Sequence, residues 1–302
     1  MHAHQPVPAG VTVPELRDEA PHPLAGHFEA LRRTRRERRA GGDRGPIEAR
    51  KRRAVLTIVR DEPVFFPIWL DYYSRFFDPD DIYVLDHETS DGSTGGDGFV
   101  RVPVAHETVD HTWMVRTIEE HQHELLDRYD VVLVTDVDEI VAPSPAWGTL
   151  GDYIDRLEED FVNCVGYELL HLVDREPPFD PTRKVLDQRR YWFANEIYDK
   201  PALATQPMNW KPGFHRTEDG RMRPDPDLHM IHLHRMDYEI CLERHRGRER
   251  RSWNDHDVAL GWAEHNRITD ETGFARWFYE ESNADWREIV IERIPTMWKG
   301  AF

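Results

Sequence analysis

Asp136, Asp138 and Glu139 follow directly on Val131-Val132-Leu133-Val134-Thr135, the cleanest buried strand in the chain. In an open α/β sheet, ligands bind beyond the carboxyl ends of the strands, which is where this cluster falls. In extended backbone Asp136 and Asp138 project to the same side while Val137 turns inward. Two carboxylates converging in a half-buried site repel each other unless a cation joins them, so the spacing points to a divalent metal. Acidic residues that merely end a strand would face solvent, but a loop tip seldom needs three of them against a fully apolar strand. A second ligand-type pattern is Ile231-His232-Leu233-His234, which in a strand buries the two aliphatic residues and presents two imidazoles on the other face.

The elements that must position these residues alternate strand and helix. Ala54 to Val59 is a short β-branched run ending at Arg60-Asp61-Glu62-Pro63, and Phe66, Leu70, Tyr73 and Phe77 recur at helical spacing. Asp81 to Asp86 is a second apolar run, which completes a βαβ unit. Ser90 to Gly96 is turn-rich, and Phe99 to Val104 reads as an edge strand because Pro103 cannot donate to a sheet centre. Met114 to Tyr129 is helical by period and leads into the fourth strand. Further on, the patterns suggest a helix at 150–159, a strand at 161–167, shorter strands near 200–205 and 230–234, and helices after Asp257. Such alternation implies a mostly parallel sheet flanked by helices. Residues 1–53 read as a loosely ordered extension, with a short basic helix from Phe28 to Arg39 that Gly41-Gly42 would stop. The expected catalytic domain spans 54–250, and 251–302 is expected to be a helical segment packed on it.

The whole chain, 302 residues, carries a formal net charge of −18. From Arg32 to Arg53 there are 11 Lys/Arg against 3 Asp/Glu, a local +8 that leaves −26 for the rest. That balance argues against a general polyanion binder, and no nucleic acid is expected as a partner; the basic arm could still touch an anionic membrane surface peripherally. Cys164 and Cys241 are 77 positions apart and form no C-x-x-C pair, which excludes a disulfide framework or zinc ribbon and suits a reducing compartment. With no apolar run of membrane-spanning length and no charged-then-apolar leader, a cytoplasmic location is expected.

These motifs, in this order, resemble nucleotide-sugar glycosyltransferases of the GT-A fold, and the closest subgroup is the bacterial family-2-like one. The resemblance rests on Arg60-Asp61-Glu62 after the first strand, Asp86 before Thr89-Ser90-Asp91-Gly92-Ser93, and Asp136-Val137-Asp138-Glu139 after the fourth. Three later blocks extend it: Tyr198-Asp199-Lys200-Pro201, Trp210-Lys211-Pro212-Gly213-Phe214-His215 and Ile231-His232-Leu233-His234-Arg235. It covers roughly residues 54–250. Asp61 stands where the family usually has Asn. The resemblance implies a GT-A, Rossmann-like fold and transfer of a sugar from a UDP- or GDP-sugar donor to a small-molecule or glycan acceptor. It places Asp136 and Asp138 at a divalent cation and at the donor, Asp86 at the nucleoside, and Arg60, Asp61, Glu62 and Lys200 at the donor site. His232 or His234 would complete the metal shell, with His215 as a substitute. Mixed oxygen and imidazole ligands favour Mn²⁺ over Mg²⁺.

Transfer with inversion needs a base for the acceptor proton, and Glu168, Glu176, Glu196 and Asp255 are candidates that spacing does not separate. Arg244, Arg246, Arg248, Arg250 and Arg251 could add positive charge at the phosphates or form a solvated helix face. Trp192, Trp210, Trp253, Trp262 and Trp277 offer flat faces for sugar rings. Two other enzymes fit less well. Asp136-x-Asp138-x-Ile140 approaches the nucleophile motif of haloacid-dehalogenase-like phosphohydrolases, but Gly151-Asp152 and Asp155 come too soon and at the wrong spacing for its acidic pair. A nucleotidyltransferase would want a Gly-rich loop after the first strand, and Arg60 to Val64 contains no glycine. A non-catalytic nucleotide-binding adaptor is the alternative outside enzymes.

Overall fold

The computed structural model describes residues 50–220, 223–281 and 289–302, together with Pro8, Val11, Val13 and Leu16. The predicted basic helix from Phe28 to Arg39 lies outside the described residues. Chain order is β1 (Arg53–Val59), α1 (Phe65–Tyr73), β2 (Ile82–His87), β3 (Val100–Val104), α2 (His111–Leu126), β4 (Val131–Val134), β5 (Glu139–Pro143), α3 (Leu150–Asp155), β6 (Phe161–Asn163) and β7 (Val165–Leu169). Then come α4 (Val185–Gln188), β8 (Tyr191–Ala194), β9 (Pro201–Ala204), β10 (Leu228–His232), α5 (Tyr238–Glu249), α6 (Asp255–Ala259), α7 (Glu271–Glu280) and β11 (Glu292–Arg293).

A six-stranded sheet runs β3-β2-β1-β4-β9-β6. Its first four strands are parallel, and β9 adds antiparallel to β4. Both faces of this sheet are covered, which is why its central strands read as unbroken apolar runs. Val55 and Val59 of β1 and Val131 and Leu133 of β4 pack on one side with α1, whereas Ala54, Leu56, Ile58, Val132 and Val134 pack on the other with Val115, Ile118 and Leu125 of α2. The expected α/β architecture, mostly parallel and flanked by helices, is therefore present, and β3 is an edge strand as Pro103 requires.

The run 161–167 is two strands. A register irregularity at Asn163 sends β6 to the first sheet and β7 to a second one, ordered β11-β8-β7-β10-β5. The second sheet decides which side chains meet, because β10 pairs His232 with Glu139 of β5 and with Glu168 of β7. Gly166 of β7 lies under the short turn 196–198. A Cβ there would meet Asn195 O at 2.4 Å and the Tyr198 carbonyl carbon at 2.6 Å, so this approach tolerates only glycine.

Helix α1 fixes the acidic segment after β4. Its buried Trp69 donates from Nε1 to Thr135 Oγ1 at 2.8 Å, and the Tyr72 and Tyr73 hydroxyls donate to the carbonyls of Val141 and Glu139 at 3.0 and 3.2 Å. Aromatic bodies thus supply burial while their polar tips hold the turn between β4 and β5. The C-terminal segment carries α6 and α7, but it also supplies β11 to the second sheet, and Trp298 and Phe302 to the same core cluster as β1 and α1. The last residues of the basic arm are taken up by the fold: the Lys51 amide donates to Asp155, Arg52 pairs with Asp130 at 2.7 Å, and Arg53 pairs with Asp155. Among the described residues no helix is long and apolar enough to cross a membrane, and both cysteines are free and buried.

Candidate active site

A cleft of about 470 Å³ opens beyond the carboxyl ends of β1, β2 and β4. It takes Arg60 and Glu62 from the end of β1, His87 from β2, Asp136 and Asp138 from the turn after β4, and His232 and His234 from the end of β10. Helix α5 supplies Arg244 and Arg248, and Arg251 follows it. Arg244 and Arg248, four residues apart, share one face of α5, and Arg251 lies just past its end.

The two aspartates do not act as a pair on one face. Strand β4 ends at Val134 and the chain turns, with the Glu139 amide donating to the Asp136 carbonyl at 3.1 Å. Asp136 is partly exposed and accepts from Lys200 Nζ at 2.8 Å, and Lys200 also pairs with the buried Glu139 at 2.5 Å. Burial works against a charged Lys200, but Asp136 and Glu139 outweigh it and hold the ammonium above its ordinary range. Asp138 turns inward. It contacts Arg244 Nη1 and lies 3.4 Å from His232 Nε2. Burial alone would raise its carboxyl, yet Arg244 and His232 bring it well below the usual range.

The two histidines also differ from a simple alternating strand. Strand β10 ends at His232, and His234 lies in the turn that follows, where the Leu233 amide donates to the Asp138 carbonyl at 2.8 Å. Both nevertheless reach the cleft. His232 Nδ1 meets Glu168 Oε1 at 3.2 Å, and although burial lowers its basicity, Asp138 and Glu168 raise its pKa to about 9. His234 is held neutral by burial and by Arg244 and Arg248. One ligand atom from each of Asp138, His232 and His234 can be chosen with all three within 4.8 Å of one another. That is a set a divalent ion could draw together, so the residues fit a metal; Asp136 lies outside the group, with Lys200. His215 lines the same cleft, Nδ1 on the Ile197 carbonyl at 2.8 Å, and burial and Lys200 keep it neutral.

Of the expected donor-site residues, Arg60, Glu62, Asp136 and Lys200 line the cleft, whereas Asp61 and Asp86 do not. Asp61 adopts a left-handed backbone (φ 53°) and accepts from the Ser90 amide at 2.7 Å, the Ser90 hydroxyl and the Asp91 amide. Asp86 accepts from the Thr89 amide at 2.9 Å, the Thr94 hydroxyl and Arg101. Both carboxylates are spent ordering the loop after β2.

None of the four base candidates lines the cleft. Glu168 is buried behind His232, bonded to Asn195 and near Arg235 at 3.3 Å, where it orients the imidazole. Glu176 accepts from the amides of Arg190 and Leu172. Glu196 and Asp255 are exposed. Spacing could not exclude them, because cleft membership is set by which strand ends share a sheet. Trp192, Trp210 and Trp277 are core residues, and only Trp253 and Trp262 of the five offer a wall to the cleft.

The sequence did not disclose the bridge that closes this site. Arg244 Nε and Nη2 donate to Glu62 at 2.9 and 2.7 Å while Nη1 reaches Asp138, joining the ends of β1 and β4 through α5. The spacing of Arg244, Arg248 and Arg251 was the available signal. His111, with Nδ1 2.7 Å from the buried carboxylate of Asp257, was likewise unforeseen.

No protein-family model and no curated relative matches the chain. Among solved structures it is similar to the mannosyltransferase PcManGT from Pyrobaculum calidifontis, described in complex with GDP-Man and Mn²⁺, at 15% identity and a TM-score of 0.36 over 84% of this chain and 79% of that one. Likeness at this level assigns no activity; the cleft's own residues have to do that.

Proposed function

We propose that the protein is a metal-dependent glycosyltransferase of GT-A type that transfers a sugar from a UDP- or GDP-sugar to a small-molecule or glycan acceptor, with inversion. One observation carries the reading: a single cleft at the ends of parallel strands joins a carboxylate and imidazole group, Asp138, His232 and His234, to a row of guanidiniums, Arg244, Arg248 and Arg251. Carboxylate and imidazole together suit Mn²⁺, with Mg²⁺ second. Bound there, such an ion supplies a Lewis acid for the leaving diphosphate.

The remaining roles fall to side chains. Arg248 and Arg251 are less fully neutralised than Arg244: their nearest carboxylate oxygens, on Glu62 and Asp61, are both 3.7 Å away. They and Arg60 can hold phosphate oxygens. Lys200 holds Asp136 in place toward the donor through their 2.8 Å contact. Trp253 and Trp262 present flat faces to a base or sugar ring. With Glu168, Glu176, Glu196 and Asp255 outside the cleft, the base is to be sought among Asp136, Glu62 and the neutral His215, whose Nε2 is left as an acceptor when Nδ1 donates to Ile197.

Turnover separates this reading from a nucleotide-binding adaptor. Incubated with UDP- and GDP-sugars and Mn²⁺ without acceptor, the protein is expected to release nucleoside diphosphate slowly from one donor class, and a chelator is expected to stop the release. Tight nucleotide-sugar binding with no release, with or without a glycan acceptor panel, would favour the adaptor.

A further inference from the structure

Helix α5 places Cys241 and His245 one turn apart, and both are buried beside His234. We infer that His234, Cys241 and His245 form a second metal centre, a two-histidine, one-thiolate site for a borderline-soft divalent ion of the zinc class. The inference does not rest on the glycosyltransferase reading, but the two centres share His234.

The ring nitrogens face each other. His245 Nδ1 lies 3.1 Å from the Ile268 carbonyl oxygen, so it carries the proton and leaves Nε2 as a lone pair. His234 Nε2 is 3.1 Å from that lone pair, and Cys241 Sγ is 3.9 Å from it. A tetrahedral zinc ion with ordinary bond lengths holds its nitrogens about 3.3 Å apart and a nitrogen and sulfur about 3.6 Å apart. The three ligand atoms all lie within 4.8 Å of one another, so small side-chain shifts complete the set. The Ile268 carbonyl is the kind of outer partner that fixes the tautomer of a ligating histidine.

The surroundings suit a largely buried centre. Trp277 packs 4.6 Å from the His245 ring and 5.4 Å from His234, and Phe274 lies 5.0 Å from His245. Burial pushes the Cys241 thiol up, while Arg235 and Arg244 pull toward the thiolate. Binding the ion sends the Cys241 proton to solvent and moves the His234 proton from Nε2 to Nδ1; no electron changes hands. His234 borders the cleft, so water can take the fourth position. The centre would pin α5 to the turn after β10 and so place Arg244 and Arg248. It also claims His234 Nε2, leaving Asp138 and His232 for the ion in the cleft.

Cobalt provides the test. Full-length protein freed of metal is titrated with Co²⁺, and a thiolate-to-cobalt charge-transfer band saturating at one equivalent is expected, bleached by Zn²⁺. Cys241→Ser is expected to lose the band and at least about tenfold in Zn²⁺ affinity. Asp138→Asn is expected to keep both, which separates this centre from the cleft ion. If Cys241→Ser does not fold, His245→Gln serves instead, with the same loss of affinity expected. Absence of the band from the wild-type protein would leave His234 and His245 as a hydrogen-bonded pair only and overturn the proposal. So would its loss in Asp138→Asn with retention in His245→Gln.

Discussion

Arg244→Ala should lower the stability of the protein by about 3–5 kcal/mol, the range for removing one partner of a buried ion pair. The side chain is 8% exposed, as is that of Glu62, and that of Asp138 is 6% exposed. Alanine takes from two buried carboxylates the guanidinium they share, leaving Glu62 with Arg248 at 3.7 Å and Asp138 with His232 at 3.4 Å, and it also removes the arginine that stacks 4.4 Å from the Phe65 ring centroid. Lysine should rescue only part, because one ammonium cannot fork between two carboxylates. Urea unfolding with and without Mn²⁺ checks this. The variant should recover more stability from the ion than the wild-type protein does, since its carboxylates have lost the guanidinium they shared. A loss below about 1 kcal/mol would place the pair among solvent-screened surface bridges and contradict the bridge as described.

Lys200→Met should cost a similar amount, about 3–5 kcal/mol, and the cost can be traced to one neighbour. The Asp136 side chain is 36% exposed and can be rehydrated, whereas that of Glu139 is 1% exposed and depends on Lys200. Pairing Lys200→Met with Glu139→Gln should therefore restore most of the loss, because a buried ion pair replaced by neutral groups of similar size is often close to neutral. Glutamine can still accept from the Asp136 amide, which now donates to Glu139 at 3.0 Å. Urea midpoints of the two single variants and the double give the coupling. A double variant no more stable than Lys200→Met alone would show that Lys200 holds the turn by some other contact.

Much of the scaffold was legible because its strands are covered on both faces and its helices on one. Val131 to Val134 and Ala54 to Val59 could be read as strands without tertiary knowledge, and the cleft does lie at their carboxyl ends. The legible signal failed where local pattern and topology part. Phe161 to Tyr167 looks like one strand, but a shift at Asn163 divides it between two sheets. Asp136 and Asp138 have strand spacing, but the chain has already turned, so one faces Lys200 and the other Arg244. His232 and His234 alternate like a strand, although only the first is in one. Glu168 is one of four base candidates in the sequence because it is a carboxylate after the motif; register places it beside His232, where it orients the ring. The Glu62–Arg244–Asp138 bridge spans 182 and 106 positions, and a spacing rule of three or four residues could mark the arginine face but not its partners.

The proposed function requires Asp138 to belong to a cation-assisted site for a nucleoside diphosphate. Thermal unfolding of the wild-type protein and Asp138→Asn, each with UDP or GDP in the presence and absence of Mn²⁺, tests it most directly. The wild-type protein should be stabilised by one of the nucleotides chiefly when Mn²⁺ is present, by about 2.7 kcal/mol at a hundredfold excess over Kd. In Asp138→Asn the Mn²⁺-dependent part of that shift should vanish. Nucleotide stabilisation that ignores Mn²⁺, or that survives intact in Asp138→Asn, would contradict a cation-assisted site at Asp138.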